Sequence, residues 1–141
     1  MDQNFNNLGF VIDGIRHLTA RQAYECCHNG AVLVDVREEF EVAIKAFGLN
    51  GVLHCPFDSF NSIFVTLPRE VPLIIADCVG IHSKDAARKL LDNGYTLIAN
   101  LAGGIMDWER DGLPMNKDIE LMNGQCPCMI KSRPTSSNHS L

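Results

Sequence analysis

The chain has 141 residues, of which 46% are hydrophobic and 21% are charged, and this composition excludes a disordered or coiled-coil protein. That length suits one domain, which buries enough apolar surface to fold without a disulfide or a metal. Twelve basic and seventeen acidic residues give a net charge of −5, which argues against a nucleic-acid partner. No apolar run approaches the ~20 residues that cross a bilayer, and the first four residues do not resemble the start of a secretory signal. We therefore expect a cytoplasmic protein with no membrane partner.

The first half of the chain predicts short strands that alternate with helices. Residues 1–12 are expected to be a loose N-terminal segment, before a domain over residues 13–118. This domain begins with an edge strand, Ile15–Leu18, and a helix in which Thr19 and Gln22 form a capping box. Apolar spacing then predicts, in chain order, a buried strand at 31–36, a helix at 38–47, a strand at 51–54 and a helical stripe at 57–67.

The second half continues the alternation. We predict a strand at 72–77, a helix that Ser83 caps, a strand at 96–101 and a helix at 103–110. Residues 119–141 are expected to be a C-terminal extension that contains a Cys-x-Cys pair and ends in a disordered tail from Lys131. Strands that alternate with helices in this way imply an α/β fold with a parallel sheet covered by helices.

The loop that follows the strand at 72–77 is the best candidate for a binding site. Ligands of parallel sheets bind beyond the carboxyl ends of the strands, and this loop runs from Asp77 to Ser83 before a helix. Cys78 in the loop is expected to face unpaired backbone N–H groups and the positive end of the helix dipole. Such surroundings favour anions and thiolates.

Four segments, in this order, resemble the rhodanese superfamily of sulfurtransferase domains, which also includes a branch of cell-cycle phosphatases. They are VLVDVREEFE at 32–41, GVLHCP at 51–56, GIHSKDAARKLLDNGY at 80–95 and NLAGGIMDWERDGLPM at 100–115. The last segment is the most specific of the four. The resemblance implies a five-stranded parallel sheet flanked by helices on both faces, with a cysteine that carries sulfane sulfur as a persulfide.

The loop departs from the family's pattern at its nucleophile. In the ungapped register that position falls on Asp77, and Cys78 comes one residue later, while Gly80 and Ser83 match the usual loop and His82 stands where many members have arginine. Inactive rhodanese domains often have an aspartate there. A helix terminus favours the Cys78 thiolate by ~0.5–2 kcal/mol, and the adjacent carboxylate opposes it by ~1–3 kcal/mol. Both interpretations of Cys78, nucleophile or small packed residue, therefore stay open.

The other candidate residues have their own alternatives. Cys78 is the catalytic candidate, and the substrate-binding loop comprises Asp77, Val79, Gly80, Ile81, His82 and Ser83. Asp77 is expected to accept backbone N–H bonds rather than act on a proton. His82 either lends positive charge to an anion or is a solvated residue at the start of a helix.

Asp35 and Arg37 lie two residues apart at a strand end, so they are expected to form a structural ion pair. Trp108 is expected in the core.

The remaining cysteines are expected to be reduced thiols rather than a disulfide framework. Cys26 and Cys27 are adjacent on a helix, so at least one faces the core, and Cys55 lies near the sheet edge that holds the loop. Cys126 and Cys128 could relay sulfur, bind a soft metal or close a strained disulfide. Because the spacing matches no zinc pattern, we expect no metal and no cofactor.

The favoured hypothesis is a sulfurtransferase of the thiosulfate sulfurtransferase type. In it, Cys78 takes sulfur from a small sulfur-containing anion or a persulfide donor and passes it to a thiol acceptor or a protein partner. The alternative is an inactive rhodanese module, with Asp77 in the nucleophile position, that binds an anion or a protein partner. A phosphatase is disfavoured because the cell-cycle branch resembles C-x5-R, whereas the sixth residue after Cys78 is Lys84.

Overall fold

The computed structural model describes residue 5 and residues 7–122. In chain order its strands and helices are β1 (Phe10–Ile12), β2 (Ile15–Leu18), α1 (Ala20–His28), β3 (Val32–Asp35), α2 (Glu39–Ile44), β4 (Lys45–Phe47), β5 (Leu53–His54), α3 (Phe60–Ile63), β6 (Leu73–Ala76), α4 (His82–Asp92), β7 (Ile98–Leu101), α5 (Gly104–Arg110), β8 (Met115–Lys117) and α6 (Ile119–Met122). Short 3-10 turns at Phe57–Ser59 and Phe64–Thr66 flank α3.

The predicted parallel sheet is confirmed. Its strands lie in the order β1-β2-β7-β6-β3-β5. The last five strands of this order are parallel to one another. The strand β6 lies between β7 and β3, so the loop that follows it emerges near the middle of the sheet. A parallel sheet needs cover on both faces, and all four residues of β6 are buried.

Helices cover the two faces of the sheet with separate cores. On one face, residues of α1 and α5, including Trp108, pack against Leu33 and Ile74. On the other face, residues of α3 and α4 pack against Val34 and Ile75. Successive side chains of a strand point to opposite faces, which explains why neighbouring residues of β3 and β6 belong to different cores.

Two predictions at the N-terminus are wrong in detail. Ile15–Leu18 is not the edge strand, because β1 pairs antiparallel with it on the outer side, with Phe10 opposite His17. The end of the segment expected to be loose, Phe10–Ile12, is therefore a strand. Phe5 is also buried in the core against α1 and α5. These contacts lie between segments with little periodic pattern, which is why the sequence did not indicate them.

The helix predicted at 38–47 is too long. It ends at Ile44, and Lys45–Phe47 instead forms β4, which pairs antiparallel with the unpredicted β8. The side chain of Glu109 supports this small sheet with bonds to Lys45 at 2.5 Å and Lys117 at 2.7 Å. Pairing with a strand about seventy residues away overrides the local helical spacing of this segment.

The helical stripe predicted at 57–67 is divided into a 3-10 turn, α3 and a second 3-10 turn. Its apolar residues are nevertheless used as expected, since Phe60, Phe64 and Leu67 are buried. In the described part of the chain no helix is long and apolar enough to cross a membrane.

Candidate active site

The candidate loop lies at the carboxyl end of β6, between Ala76 and the start of α4 at His82. Hydrogen bonds from the start of α5 hold its backbone in place. The amide of Ile105 donates to the carbonyl oxygen of Asp77 at 2.9 Å, and the amide of Met106 donates to that of Cys78 at 3.2 Å. The loop is therefore attached to α5 as well as to its own helix.

Asp77 is the central acceptor of the loop. The residue is 5% exposed, and its carboxylate accepts backbone N–H bonds from Gly80, from His82 at 2.7 Å and from Ser83 at 3.2 Å. Two of these donors belong to the first turn of α4. A carboxylate at this point satisfies amides that have no partner within the helix and interacts favourably with the helix dipole.

This arrangement corrects two expectations. The amides of Gly80, His82 and Ser83, expected to face Cys78 as unpaired donors, are bound to Asp77 instead. Ser83 is not the N-cap, because α4 begins one residue earlier and Ile81 occupies that position. A carboxylate reaches the helix start from outside the helix, so the serine hydroxyl is available for another contact.

Behind the loop, a buried chain of polar side chains connects Asp77 to β2. The hydroxyl of Ser83 lies 3.4 Å from the Asp77 carboxylate and donates to the side-chain oxygen of Asn100 at 2.5 Å. The amide nitrogen of Asn100 lies 3.1 Å from Nδ1 of His17 and 3.4 Å from the carbonyl oxygen of Gly80. Burial, and secondarily the charge of Lys84, lowers the pKa of His17. This network holds the loop from beneath.

Two glycines permit the loop to approach the turn after β7. Gly80 has φ +95° and Gly104 has φ +61°, a region that other L-residues rarely adopt. A Cβ atom on Gly80 would collide with the carbonyl oxygen of Ala102, and one on Gly104 with that of Cys78. Close backbone packing therefore sets the height of Cys78 above the sheet.

A cavity of about 380 Å³ opens beside the loop. The loop contributes Asp77, Cys78, Val79, Ile81 and His82, and other segments contribute Val36, Arg37, Glu38, Glu41, Phe57 and Asp58. Four of the described lining residues are carboxylates and one is a guanidinium. The two loop residues Gly80 and Ser83, predicted with the binding residues, support the cavity from behind instead.

Arg37 belongs to both the predicted ion pair and the cavity. Its Nε donates to Asp35 at 3.1 Å and one Nη donates at 2.9 Å, within a buried pair. The same Nη donates to the carbonyl oxygen of Lys45 at 2.8 Å. Burial opposes the charge, but the hydrogen bond and charge of Asp35, with smaller contributions from Glu41 and Cys78, raise the pKa of Arg37. Arg37 is therefore charged as the partner of Asp35, and its electrostatic interaction with Cys78 is smaller.

His82 is exposed, and its ring lies parallel to that of Phe57 with the centroids 4.7 Å apart. The stacking holds the imidazole at the cavity wall. Its backbone N–H serves Asp77 at the same time.

The three other described cysteines do not line this cavity. Cys55 is 0% exposed, immediately after β5, and burial raises its pKa. Burial, with a smaller effect of Glu25, raises the pKa of Cys26, and burial with Cys26 raises the pKa of Cys27 to about 12. All three are therefore protonated thiols at neutral pH. Cys126 and Cys128 lie outside the described residues.

Sequence reasoning missed several residues of the site. Among them are the cavity carboxylates Glu38, Glu41 and Asp58 and the supporting residues His17 and Asn100. A signal existed for the last two, because Asn100 lies near the carboxyl end of β7, which pairs with β6, and His17 lies near that of β2, which pairs with β7. No local pattern indicated the carboxylates, which two separate connections bring to the loop.

A parallel α/β sheet with a thiol in the loop between its central strand and a helix is the architecture that the sequence resemblance implied. Comparison with known families agrees, because residues 19–111 match the model described as Rhodanese-like domain. The chain therefore belongs to the rhodanese-like domain family.

Curated relatives include thiosulfate sulfurtransferases named GlpE. The protein from Haemophilus influenzae (strain PittEE) is 29% identical over 101 residues, covering 72% of this chain and 94% of the relative. That from Actinobacillus pleuropneumoniae serotype 7 is 28% identical over 99 residues, covering 70% of this chain and 90% of the relative.

Solved structures show the same fold. A rhodanese-related protein from Thermoplasma volcanium has a TM-score of 0.65 at 25% identity, covering 72% of this chain and 97% of that one. A thiosulfate sulfurtransferase from Pseudomonas aeruginosa has a TM-score of 0.63 at 25% identity, covering 77% of this chain and 21% of that one.

Proposed function

We propose that this protein is a sulfurtransferase in which Cys78 carries sulfane sulfur as a persulfide. One observation carries the proposal: among the described cysteines, Cys78 lines the cavity at the carboxyl end of β6 and the other three do not. The guanidinium of Arg37, which is paired with Asp35, also interacts electrostatically with Cys78. The similarity to thiosulfate sulfurtransferases supports the reaction class.

The reaction has two balanced steps. The Cys78 thiolate attacks the outer sulfur of a donor R–S–SH, and the donor's S–S bond breaks. The products are the thiolate R–S⁻, which departs, and the persulfide Cys78–S–SH. An acceptor thiolate then attacks the outer sulfur of this persulfide, becomes a persulfide itself and releases the Cys78 thiolate. With thiosulfate as donor, the leaving group of the first step is sulfite. These steps require a compartment that keeps Cys78 reduced, and we propose the cytoplasm.

The charge of the cavity favours one class of donor. Glu38, Glu41, Asp58 and Asp77 line the cavity, and the one guanidinium among its described lining residues, that of Arg37, is paired with Asp35. At the effective dielectric near a protein surface, a single negative charge about 5 Å from a carboxylate has a repulsion energy of about 3 kcal/mol. Thiosulfate has two negative charges, whereas a persulfide with an uncharged substituent has at most one. Persulfides are therefore the expected donors.

Intact-mass spectrometry tests the proposal. The protein is incubated with a low-molecular-weight persulfide or with thiosulfate, freed of donor, and compared with Cys78→Ser and with Cys26→Ser as a matched control. We expect the persulfide to add one sulfur to the wild type and to Cys26→Ser and none to Cys78→Ser, with thiosulfate reacting more slowly. Equal labelling of Cys78→Ser and the wild type would refute the role of Cys78.

The hydrogen bonds of Asp77 favour a second candidate, an inactive module. Asp77 takes the family's nucleophile position, and its carboxylate already binds three loop amides, which would otherwise stabilise an anion at this point. In that case neither donor would label the wild type, and Asp77→Cys would create a labelled site. The same mass measurement separates the two candidates.

A further inference from the structure

The entrance of the cavity combines exposed apolar side chains with negative charge. Val79 is 48% exposed and Ile81 is 61% exposed, and both line the cavity. Glu38, on the segment that follows β3, and Asp58, on the segment that follows β5, also line the cavity. A small anion is poorly matched to these surroundings, whereas a segment with apolar and basic side chains fits them.

The C-terminal sequence of this chain has that composition. From Cys126 it reads CPCMIKSR, with two thiols, the apolar pair Met129-Ile130 and the basic residues Lys131 and Arg133, and no acidic residue follows as far as Leu141. It also supplies the thiol that the second step of the reaction requires. These residues lie outside the described part of the chain, so the inference uses only their sequence and their distance from the last described element.

The last described element packs against a helix that contributes to the cavity. The helix α6 packs against α2, and the amide of Asp118 donates to the carbonyl oxygen of Ile44 at 2.8 Å. The helix α2 has six residues, about 9 Å in length, and includes the cavity residue Glu41. Cys126 follows Met122 by four residues, which span at most about 14 Å when extended. The Cys-x-Cys pair is thus tethered within about 14 Å of the end of α6, which packs against a helix that contributes to the cavity.

We propose that residues 126–133 of this chain dock on the apolar and acidic entrance of the cavity, and that Cys126 and Cys128 accept the sulfur from Cys78. The inference rests on the proposed function, since it requires a persulfide on Cys78. A thiolate of the pair attacks the outer sulfur of Cys78–S–SH; that S–S bond breaks, a new persulfide forms on the tail, and Cys78 leaves as the thiolate. A short tether gives the tail thiols an effective concentration in the millimolar range.

The test follows one sulfur atom along the full-length chain. The protein receives less than one equivalent of a low-molecular-weight persulfide and is desalted; samples are alkylated at successive times, digested and analysed by peptide mass spectrometry. In the wild type, we expect the sulfur to appear on the Cys78 peptide and then on the peptide with Cys126 and Cys128. In the Cys126→Ser/Cys128→Ser variant, it should remain on Cys78.

The outcomes separate this inference from the proposed function. Sulfur that stays on Cys78 in the wild type would overturn the transfer to the tail and leave the function intact. Tail labelling that proceeds equally in Cys78→Ser would overturn the inference, because the tail would then react with the donor directly. Absence of sulfur from Cys78 even in the double variant would overturn both proposals.

Two further measurements test docking within one chain. The charge reversal Lys131→Glu/Arg133→Glu should slow the transfer by about tenfold, and Lys89→Glu/Arg110→Glu, which changes the net charge equally on α4 and α5, should not. The transfer rate constant should be independent of protein concentration. A rate constant that rises with concentration would place the tail of a second copy on the cavity and overturn docking in cis, and an unaffected charge-reversal variant would overturn the charge complementarity.

Discussion

Replacing Asp77 by asparagine tests the role of the buried carboxylate in the loop. Asparagine keeps the shape of aspartate and one acceptor oxygen. Its NH₂ group replaces the second carboxylate oxygen and would face an N–H donor there. If the remaining oxygen serves His82 and Ser83, the amide of Gly80 loses its acceptor. An unsatisfied buried donor costs about 1–3 kcal/mol, and a bond to a neutral acceptor is about 1 kcal/mol weaker than one to a charge. We expect a loss of about 2–4 kcal/mol in the free energy of unfolding.

Urea denaturation followed by fluorescence measures this loss. Trp108 is the single tryptophan, is fully buried and contacts the rings of Tyr24 and Phe47, so its emission reports on the native core. For a chain of this length the thermal midpoint should fall by roughly 6–12 °C. Amide hydrogen exchange should quicken first at Gly80 and His82, since these donors lose the charged acceptor.

Asp58→Asn is the matched control. Asp58 lines the same cavity but is exposed, so removal of its charge should change the free energy of unfolding by less than about 0.5 kcal/mol. If Asp77→Asn were as stable as this control, the carboxylate would not be the acceptor that orders the loop, and the physical argument for its placement would fail.

Two other predictions concern the supports of the loop. His17 is buried with a lowered pKa, so below pH 6.5 the unfolded chain takes up a proton that the native one does not; stability should fall with acidity, by at most about 1.4 kcal/mol per pH unit. His17→Gln should reduce the slope of the free energy of unfolding against pH between pH 7 and 5, whereas His28→Gln, on the surface, should not. An unchanged slope in both variants would contradict the role of His17. Gly104→Ala should lower the free energy of unfolding by more than about 2 kcal/mol because its Cβ meets the Cys78 carbonyl, whereas Gly112→Ala, at φ +75° in open space, should cost only about 1 kcal/mol. Equal costs for the two glycines would show that the loop is not packed as described.

The sequence alone determined the sheet and its position relative to the loop. In short apolar runs such as Leu73–Ala76, side chains on both sides of the strand are apolar. Their pattern therefore already implies a strand that is buried on both faces, as in a parallel sheet. The strand–loop–helix order then puts Cys78 at a carboxyl end, where parallel sheets bind ligands. These inferences depend on neighbours along the chain, and local patterns record such neighbours directly.

The sequence also predicted part of the site chemistry. It indicated that Asp77 accepts backbone N–H bonds, and it named Asp35 and Arg37 as an ion pair, because the partners lie within six residues in each case. It was wrong in expecting unpaired loop amides to face Cys78, because those of Gly80, His82 and Ser83 donate to Asp77. Adjacent residues have equal access to them along the chain, and only the backbone path decides between the two.

Only the tertiary structure decided which distant groups meet at the loop. Asn100 and His17 reach it from two other strands, and Glu41 and Phe57 enclose the cavity from separate connections. The strands β4 and β8 pair although Lys45 and Lys117 lie about seventy residues apart. Such contacts depend on the energy of packing and hydrogen bonding between segments, and no local periodicity encodes which segments will meet. The sequence thus located the reactive loop, while the charge around Cys78 was set by the way the chain folds over it.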